Sequence, residues 1–137
     1  MTSKKTFTIL AFITASNFSI AAEAVLTKEY TVCMDKAAGG TLEMKDCISA
    51  ELSKQDNRLN TIYKEQMASL PENQKASLKR TQRAWIKLRE SECKSQSKEE
   101  EGGTLEGIIY GDCILQKTAI RADEIKAIKR GGKDHQE

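Results

Sequence analysis

Apolar residues recur at helical spacing along most of the chain. From Thr41 to Leu70 they return every three, four or seven positions, which indicates one long amphipathic helix. Pro71 ends that helix and suits the start of the next, predicted over 72–98 with Ser69 as a capping residue. A short helix is expected over 27–37, whose first residue is a threonine suited to an N-cap, and a last one over 105–129. The pattern predicts an all-α fold, an antiparallel bundle or hairpin of three to four helices.

The amino-terminal segment has the organisation of a secretory signal. Lys4 and Lys5 form a positive start, and an apolar run follows from Phe7 to Ala15. Small residues at Ala22 and Ala24 mark a cleavage site. Because a bilayer span needs about 20 apolar residues, this run is too short to be an anchor. We expect export to the periplasm, or beyond the cell, of a mature form without a membrane span. The predicted parts are a signal peptide at 1–24, a helical domain at 25–130 and a polar tail at 131–137.

Composition narrows the function classes. The 137 residues fit one domain, and the formal net charge of +2 offers no excess of cations for binding nucleic acid. The single histidine, His135, lies in the polar tail, which argues against a His-based catalytic or metal site. We therefore expect no metal, no cofactor and no nucleic-acid partner.

Four cysteines in an exported chain predict disulfides, and three pairings are possible in principle. A Gly-Gly-Thr-Leu-Glu repeat at 39–43 and 102–106 favours one of them, because each copy lies between two cysteines. The glycines suit a tight turn, and the threonine of each copy is expected to cap the helix that follows. A bridge across each turn would close it. The favoured pairs are Cys33–Cys47 and Cys93–Cys113.

The most distinctive stretch is a polar, aromatic and cationic stripe in the third helix. Gln82, Trp85 and Arg89 are spaced at i, i+3 and i+7 and therefore share a face. A buried arginine needs acceptors, and Glu51 and Asp56 in the preceding helix are the expected ones. The functional interpretation is a cationic site that faces a ligand. The simpler one, which we favour, is a structural ion pair beside the tryptophan.

The ordered pattern of cysteines and motif residues resembles the LprI-type lysozyme-inhibitor N-terminal domain, a family of small exported helical proteins. The resemblance covers nearly the whole mature chain and implies inhibition of lysozyme. Similar domains also resemble immunity proteins that neutralise wall-degrading toxins. The residues that carry the resemblance are Cys33, Met44, Cys47, Asp56, Leu59, Asn60, Tyr63, Gln82, Arg83, Trp85, Arg89, Cys93, Gly102, Gly103, Thr104, Cys113, Thr118 and Arg121.

Carboxylates cluster around the second predicted disulfide, and these are Glu90, Glu92, Glu99, Glu100, Glu101, Glu106 and Asp112. The simpler interpretation is a solvated turn whose negative charge favours the start of the last helix. The functional interpretation is a surface, centred on Glu99, Glu100, Glu101 and Glu106, that binds a cell-wall hydrolase. The leading hypothesis is a protein without enzymatic activity that inhibits, or gives immunity to, a peptidoglycan-degrading enzyme.

Two alternatives belong to other classes of protein. An enzyme would use a carboxylate pair such as Glu51 and Asp56, but no histidine base or metal cluster accompanies them. A structural or stress-response module of the envelope would bind its partner through Tyr30, Tyr63 or Tyr110.

Overall fold

The computed structural model describes residues 22–129, which form four α-helices joined by short connections. The predicted signal peptide up to residue 21 and the tail from residue 130, with His135, lie outside the described residues. No strand occurs within 22–129, and the predicted all-α class is confirmed. The helices are α1 (Lys28–Ala37), α2 (Thr41–Ser69), α3 (Glu72–Ser97) and α4 (Glu106–Lys126), with a 3₁₀ turn at Lys98–Glu100 between α3 and α4.

The helix starts agree with the sequence only in part. Thr27 caps α1 as predicted, and its hydroxyl accepts a hydrogen bond from the backbone N–H three residues on. Thr41 is instead the first residue of α2, and Thr104 lies one residue before the N-cap of α4, so neither caps. Ser69 also fails to cap α3, because its hydroxyl donates to the end of α2 and Pro71 is the N-cap. The helices that follow the Gly-Gly turns, α2 and α4, therefore begin without a side-chain cap.

The chain forms two helical hairpins that pack through α2 and α4. Lys45 lies beside Gly107 near the starts of these helices, and Arg58 pairs with Asp123 towards their ends. The two helices therefore run parallel. Each is preceded by an antiparallel partner, α1 for α2 and α3 for α4. The interfaces of α4 with α2 and with α3 are large, whereas α2 and α3 contact each other little.

One disulfide closes each hairpin, and the predicted pairing is confirmed. Cys33 of α1 bonds Cys47 of α2 with a Cα–Cα distance of 5.7 Å. Cys93 of α3 bonds Cys113 of α4 at 5.5 Å. Both bridges lie within a few turns of the Gly-Gly-Thr-Leu-Glu repeats, so they hold α2 and α4 in register with the helices before them.

The core follows the α2–α4 contact from one end to the other. Leu115 and Ile125 of α4 are fully buried along it. One cluster, near the ends of α2 and α4, contains Leu59, Leu70, Leu78, Ala122 and Ile125. Another, near the starts of these helices, contains Ile48, Ile108 and Leu115, and a third contains Cys93, Cys113 and Ile114.

No helix within the described residues combines the length and apolar character needed to cross a bilayer.

Candidate functional site

The two Gly-Gly-Thr-Leu-Glu repeats share two backbone features, although the residue before each repeat differs: Ala38 is left-handed with a φ of 47°, whereas Glu101 has a φ of −54°. The first glycine is left-handed in both copies, with φ of 83° at Gly39 and 77° at Gly102. The N–H of the second glycine donates to the carbonyl three residues earlier, at 2.8 Å in both copies. The two glycines therefore have matching geometry in both copies, and each copy leads into one of the two parallel helices, α2 from Thr41 and α4 from Glu106.

Because α2 and α4 are parallel, both turns lie at the same end of the bundle. We call residues 38–43 and 98–106 the turn end. The predicted carboxylates belong to it: Glu99, Glu100 and Glu101 are exposed and take part in no ion pair within residues 22–129. Glu106 is half-buried and accepts a hydrogen bond from the Gly102 N–H at 2.8 Å. Glu106 therefore holds the turn, while the other three face solvent.

Sequence reasoning missed two apolar side chains at this end. Leu42 is 68 % exposed and Leu105 is 48 % exposed, although the chain buries other leucines in its core. They occupy the same position of the two repeats. Their matched positions in the repeats were the sequence feature that could have drawn attention to them. Helical periodicity alone could not show that both leucines face solvent.

A groove of about 490 Å³ lies beside the turn end, between the two hairpins. Its apolar lining comes from Met34, Met44, Ile48, Ile108, Ile109 and Cys113, and its polar lining from Gln96, Asp112, Gln116 and Lys117. The Tyr30 hydroxyl lies 3.3 Å from Asp112 Oδ1 and donates to it. Burial and the negative charge of Asp112 raise the pKa of Tyr30 to about 12. This contact ties α1 to α4.

The motif stripe of α3 comes together with α4. The Arg89 and Arg121 guanidinium carbons lie 4.8 and 5.6 Å from the centre of the Trp85 ring. Arg121 Nε donates to Gln82 Oε1 at 2.9 Å. Arg89 Nη1 donates to Thr118 Oγ1 at 2.8 Å. Four residues of the family pattern, Gln82, Trp85, Arg89 and Arg121, therefore form one cluster, which joins α3 to α4.

Asp56, one of the two acceptors predicted for Arg89, is not part of this cluster. It is exposed on α2, and the ion pair predicted for Arg89 with Glu51 or Asp56 is absent from the described residues. The physical reason is the helix order: α4 packs against both α2 and α3, so Arg89 meets Thr118 of α4 instead.

Glu51 is buried, 1 % exposed, and anchors the segment before α1. Its carboxylate accepts hydrogen bonds from Thr27 N at 2.9 Å and Thr27 Oγ1 at 2.6 Å. Gln55 Nε2 donates to the same carboxylate at 2.8 Å. Burial is the largest influence and raises the pKa of Glu51, but these hydrogen bonds and Lys54 together outweigh it, so the pKa is lowered. Such a carboxylate is a structural acceptor, and a polymeric substrate has no access to it.

The remaining candidates are a metal site and the three tyrosines. No group of three His, Cys, Asp or Glu side chains within 22–129 could hold a metal ion. Of the tyrosines considered for partner binding, Tyr30 bonds Asp112 and Tyr63 packs against the core, whereas Tyr110 is 38 % exposed. The exposed features that gather in one place are those of the turn end.

The fold and this site define a class: a small all-α protein closed by disulfides, with exposed carboxylates and leucines at one end. The LprI lysozyme inhibitor family model matches residues 33–125, and the chain belongs to this family. An uncharacterized protein of Rhizobium meliloti (strain 1021) is 24 % identical over 106 residues, which cover 68 % of this chain and 76 % of that protein. No solved structure matches the chain.

Proposed function

We propose that this protein is an exported, non-enzymatic inhibitor of a peptidoglycan-degrading enzyme of the lysozyme type, and that it acts in the periplasm. Membership of the LprI lysozyme inhibitor family supports the partner class. The observation that carries the proposal is the exposed run Glu99–Glu101, free of ion pairs within the described residues, on a turn beside the Cys93–Cys113 bridge.

Local charge supports a cationic partner in spite of the chain's near neutrality. The net charge is +2, but the second turn of the turn end, residues 98–106, holds four carboxylates and one cation, Lys98. Since the Debye length is about 8 Å at physiological ionic strength, a partner approaching this end senses mainly the nearby charges. Lysozymes are usually cationic, so the acidic turn would steer the encounter and set its orientation.

The mechanism is occupation of the enzyme's substrate groove by a rigid turn. The Gly102 N–H bond to Glu106 and the adjacent disulfide fix the turn before binding. A turn that is already ordered loses little conformational entropy on binding, and the surplus appears as affinity. The enzyme's groove would then be closed to peptidoglycan without any bond being made or broken.

The test is a titration of wild-type protein and a charge variant against c-, g- and i-type lysozymes and a wall amidase. The variant Glu99→Gln/Glu100→Gln/Glu101→Gln should bind about tenfold more weakly at low salt, and the difference should shrink as salt is added. The control Asp56→Asn/Glu65→Gln/Glu72→Gln removes the same amount of charge from exposed positions of α2 and α3 outside the turn end, and it should bind like wild type. Wild-type protein that inhibits no enzyme of the panel would refute the proposal.

The same surface would serve an immunity protein, whose target is a rival's wall-degrading toxin rather than a lysozyme. Inhibition of the amidase alone would favour that role. The envelope module is the alternative of another class, and exposed Tyr110 is the tyrosine that fits it. Capture of an endogenous structural protein from envelope extract, dependent on Tyr110 and without inhibition of any hydrolase, would favour the module.

A further inference from the structure

The acidic turn between α3 and α4 is half of a repeated surface. The turn before α2 has the same five residues, the same left-handed first glycine and the same backbone hydrogen bond. Lys45 beside Gly107 and Ile48 against Gly111 show that the starts of α2 and α4 are neighbours. Both turns therefore face the same direction at the turn end.

The leucines of the repeats are the feature that folding does not explain. Leu42 and Leu105 are 68 % and 48 % exposed, and Leu88, at 56 %, is the other exposed leucine within residues 22–129. A single exposed leucine is ordinary, but two at matched positions of a repeat, at one end, form a defined pair. Since burial of a leucine side chain is strongly favourable, such a pair gains free energy only when a partner covers it.

Charge next to the leucines indicates what the partner is. Glu106 follows Leu105 and Glu43 follows Leu42, while Glu99–Glu101 lie just before the second turn. Each leucine is thus bordered by carboxylate, and the five carboxylates of the turn end outnumber Lys98 within it and Lys45 beside it. This combination suits an apolar contact inside a cationic rim. A second copy of this chain would bring like charges together and is disfavoured.

We propose that both turns bind the target enzyme together, with Leu42 and Leu105 as two apolar anchors on either side of its cationic groove. This inference rests on the proposed function and adds that the α1–α2 turn, and not only the acidic α3–α4 turn, forms the inhibitory surface. Apolar anchors in the centre of an interface contribute most of the affinity, while the charges around them govern the rate of association. Loss of a leucine should therefore raise the dissociation rate, and loss of the glutamates should lower the association rate.

The experiment compares Leu42→Ser, Leu105→Ser and the double variant with Leu88→Ser. Leu88 is 56 % exposed on α3 but lies outside both repeats, so it is the matched control. Association and dissociation rates are measured by surface plasmon resonance, with each c-, g- and i-type lysozyme and the wall amidase immobilised in turn. Circular dichroism and thermal unfolding verify that every variant is folded.

We expect each single leucine variant to bind about tenfold more weakly through faster dissociation, and the double variant about a hundredfold more weakly. Leu88→Ser should bind like wild type. If Leu42→Ser binds like wild type while the glutamate triple variant is impaired, the inference is wrong and the proposed function stands. Wild-type protein that binds no enzyme of the panel overturns both. Leucine variants that lose self-association but keep enzyme affinity would assign the pair to a dimer interface and overturn the inference.

Discussion

Replacement of Glu51 by alanine tests the buried contact that fixes the start of the domain. The carboxylate accepts two hydrogen bonds from Thr27 and one from Gln55. Its removal leaves the Thr27 N–H and the Gln55 amide without this acceptor, and each buried donor left unpaired costs about 1–3 kcal/mol. Because alanine is the strongest helix former, α2 itself is not weakened. We expect a loss of about 3 kcal/mol in the free energy of unfolding.

For a domain of about 100 residues, 1 kcal/mol shifts the midpoint of thermal unfolding by about 4–8 °C, so Glu51→Ala should lower it by about 12–24 °C. The assay is thermal unfolding followed by circular dichroism, with the disulfides intact. Glu65→Ala, on the exposed face of the same helix, is the control and should shift the midpoint by no more than about 3 °C. The isosteric Glu51→Gln keeps one acceptor oxygen and should lie between them.

The same variants test the sign of the pH dependence. The pKa of Glu51 is lowered from its ordinary value of 4.5, so its stabilising contribution is present above that value and is lost as pH falls through the lowered one. Wild-type protein should therefore lose more stability than Glu51→Gln as the pH falls below about 4.5. Glu51→Ala unfolding at the same temperature as Glu65→Ala would refute the buried network altogether.

Three further outcomes are expected. Reduction of both disulfides should lower the free energy of unfolding by about 3 kcal/mol for each bridge, which denaturant unfolding with and without reductant measures. Reduction should also abolish inhibition, and unchanged inhibition by the reduced protein would contradict this expectation. The pKa of Tyr30 is raised from 10.0 to about 12, so wild-type protein should lose stability between these pH values. Tyr30→Phe should lack that alkaline loss in urea unfolding at a series of pH values, and parallel curves would contradict the burial of Tyr30 beside Asp112. Gly39→Ala should lower the free energy of unfolding by about 1 kcal/mol, because φ is 83° there. Ala38→Gly, at a φ of 47°, should raise the free energy of unfolding. Equal midpoints of thermal unfolding for the two variants and wild-type protein would contradict the turn geometry.

The helices and disulfides followed from local rules. A long apolar stripe and Pro71 place α2 and α3 within a residue or two of their observed bounds. The repeat predicted the cysteine pairs because each copy required a closed turn between two helices. The caps predicted at Thr41 and Thr104 were each wrong by one position, because Gly40 is the N-cap of α2 and Leu105 is the N-cap of α4, and neither makes a side-chain capping hydrogen bond.

The contacts between helices could not be read from periodicity. A stripe shows which face of α3 is buried but not which helix covers it, and Arg89 was therefore assigned to carboxylates of α2 when Thr118 of α4 is its partner. Glu51 breaks the apolar stripe of α2 because its partner, Thr27, precedes α1. The exposure of Leu42 depends on the helix packing and appears only in three dimensions.

The central claim is that the turn end fills the substrate groove of a lysozyme-type enzyme. Steady-state hydrolysis of a soluble peptidoglycan oligosaccharide by each c-, g- and i-type lysozyme, at increasing inhibitor, tests it most directly. For at least one enzyme, the account predicts competitive inhibition: the apparent KM rises with inhibitor, kcat is unchanged, and Glu99→Gln/Glu100→Gln/Glu101→Gln weakens the effect. A fall in kcat at unchanged KM, or no inhibition of any enzyme, would contradict it.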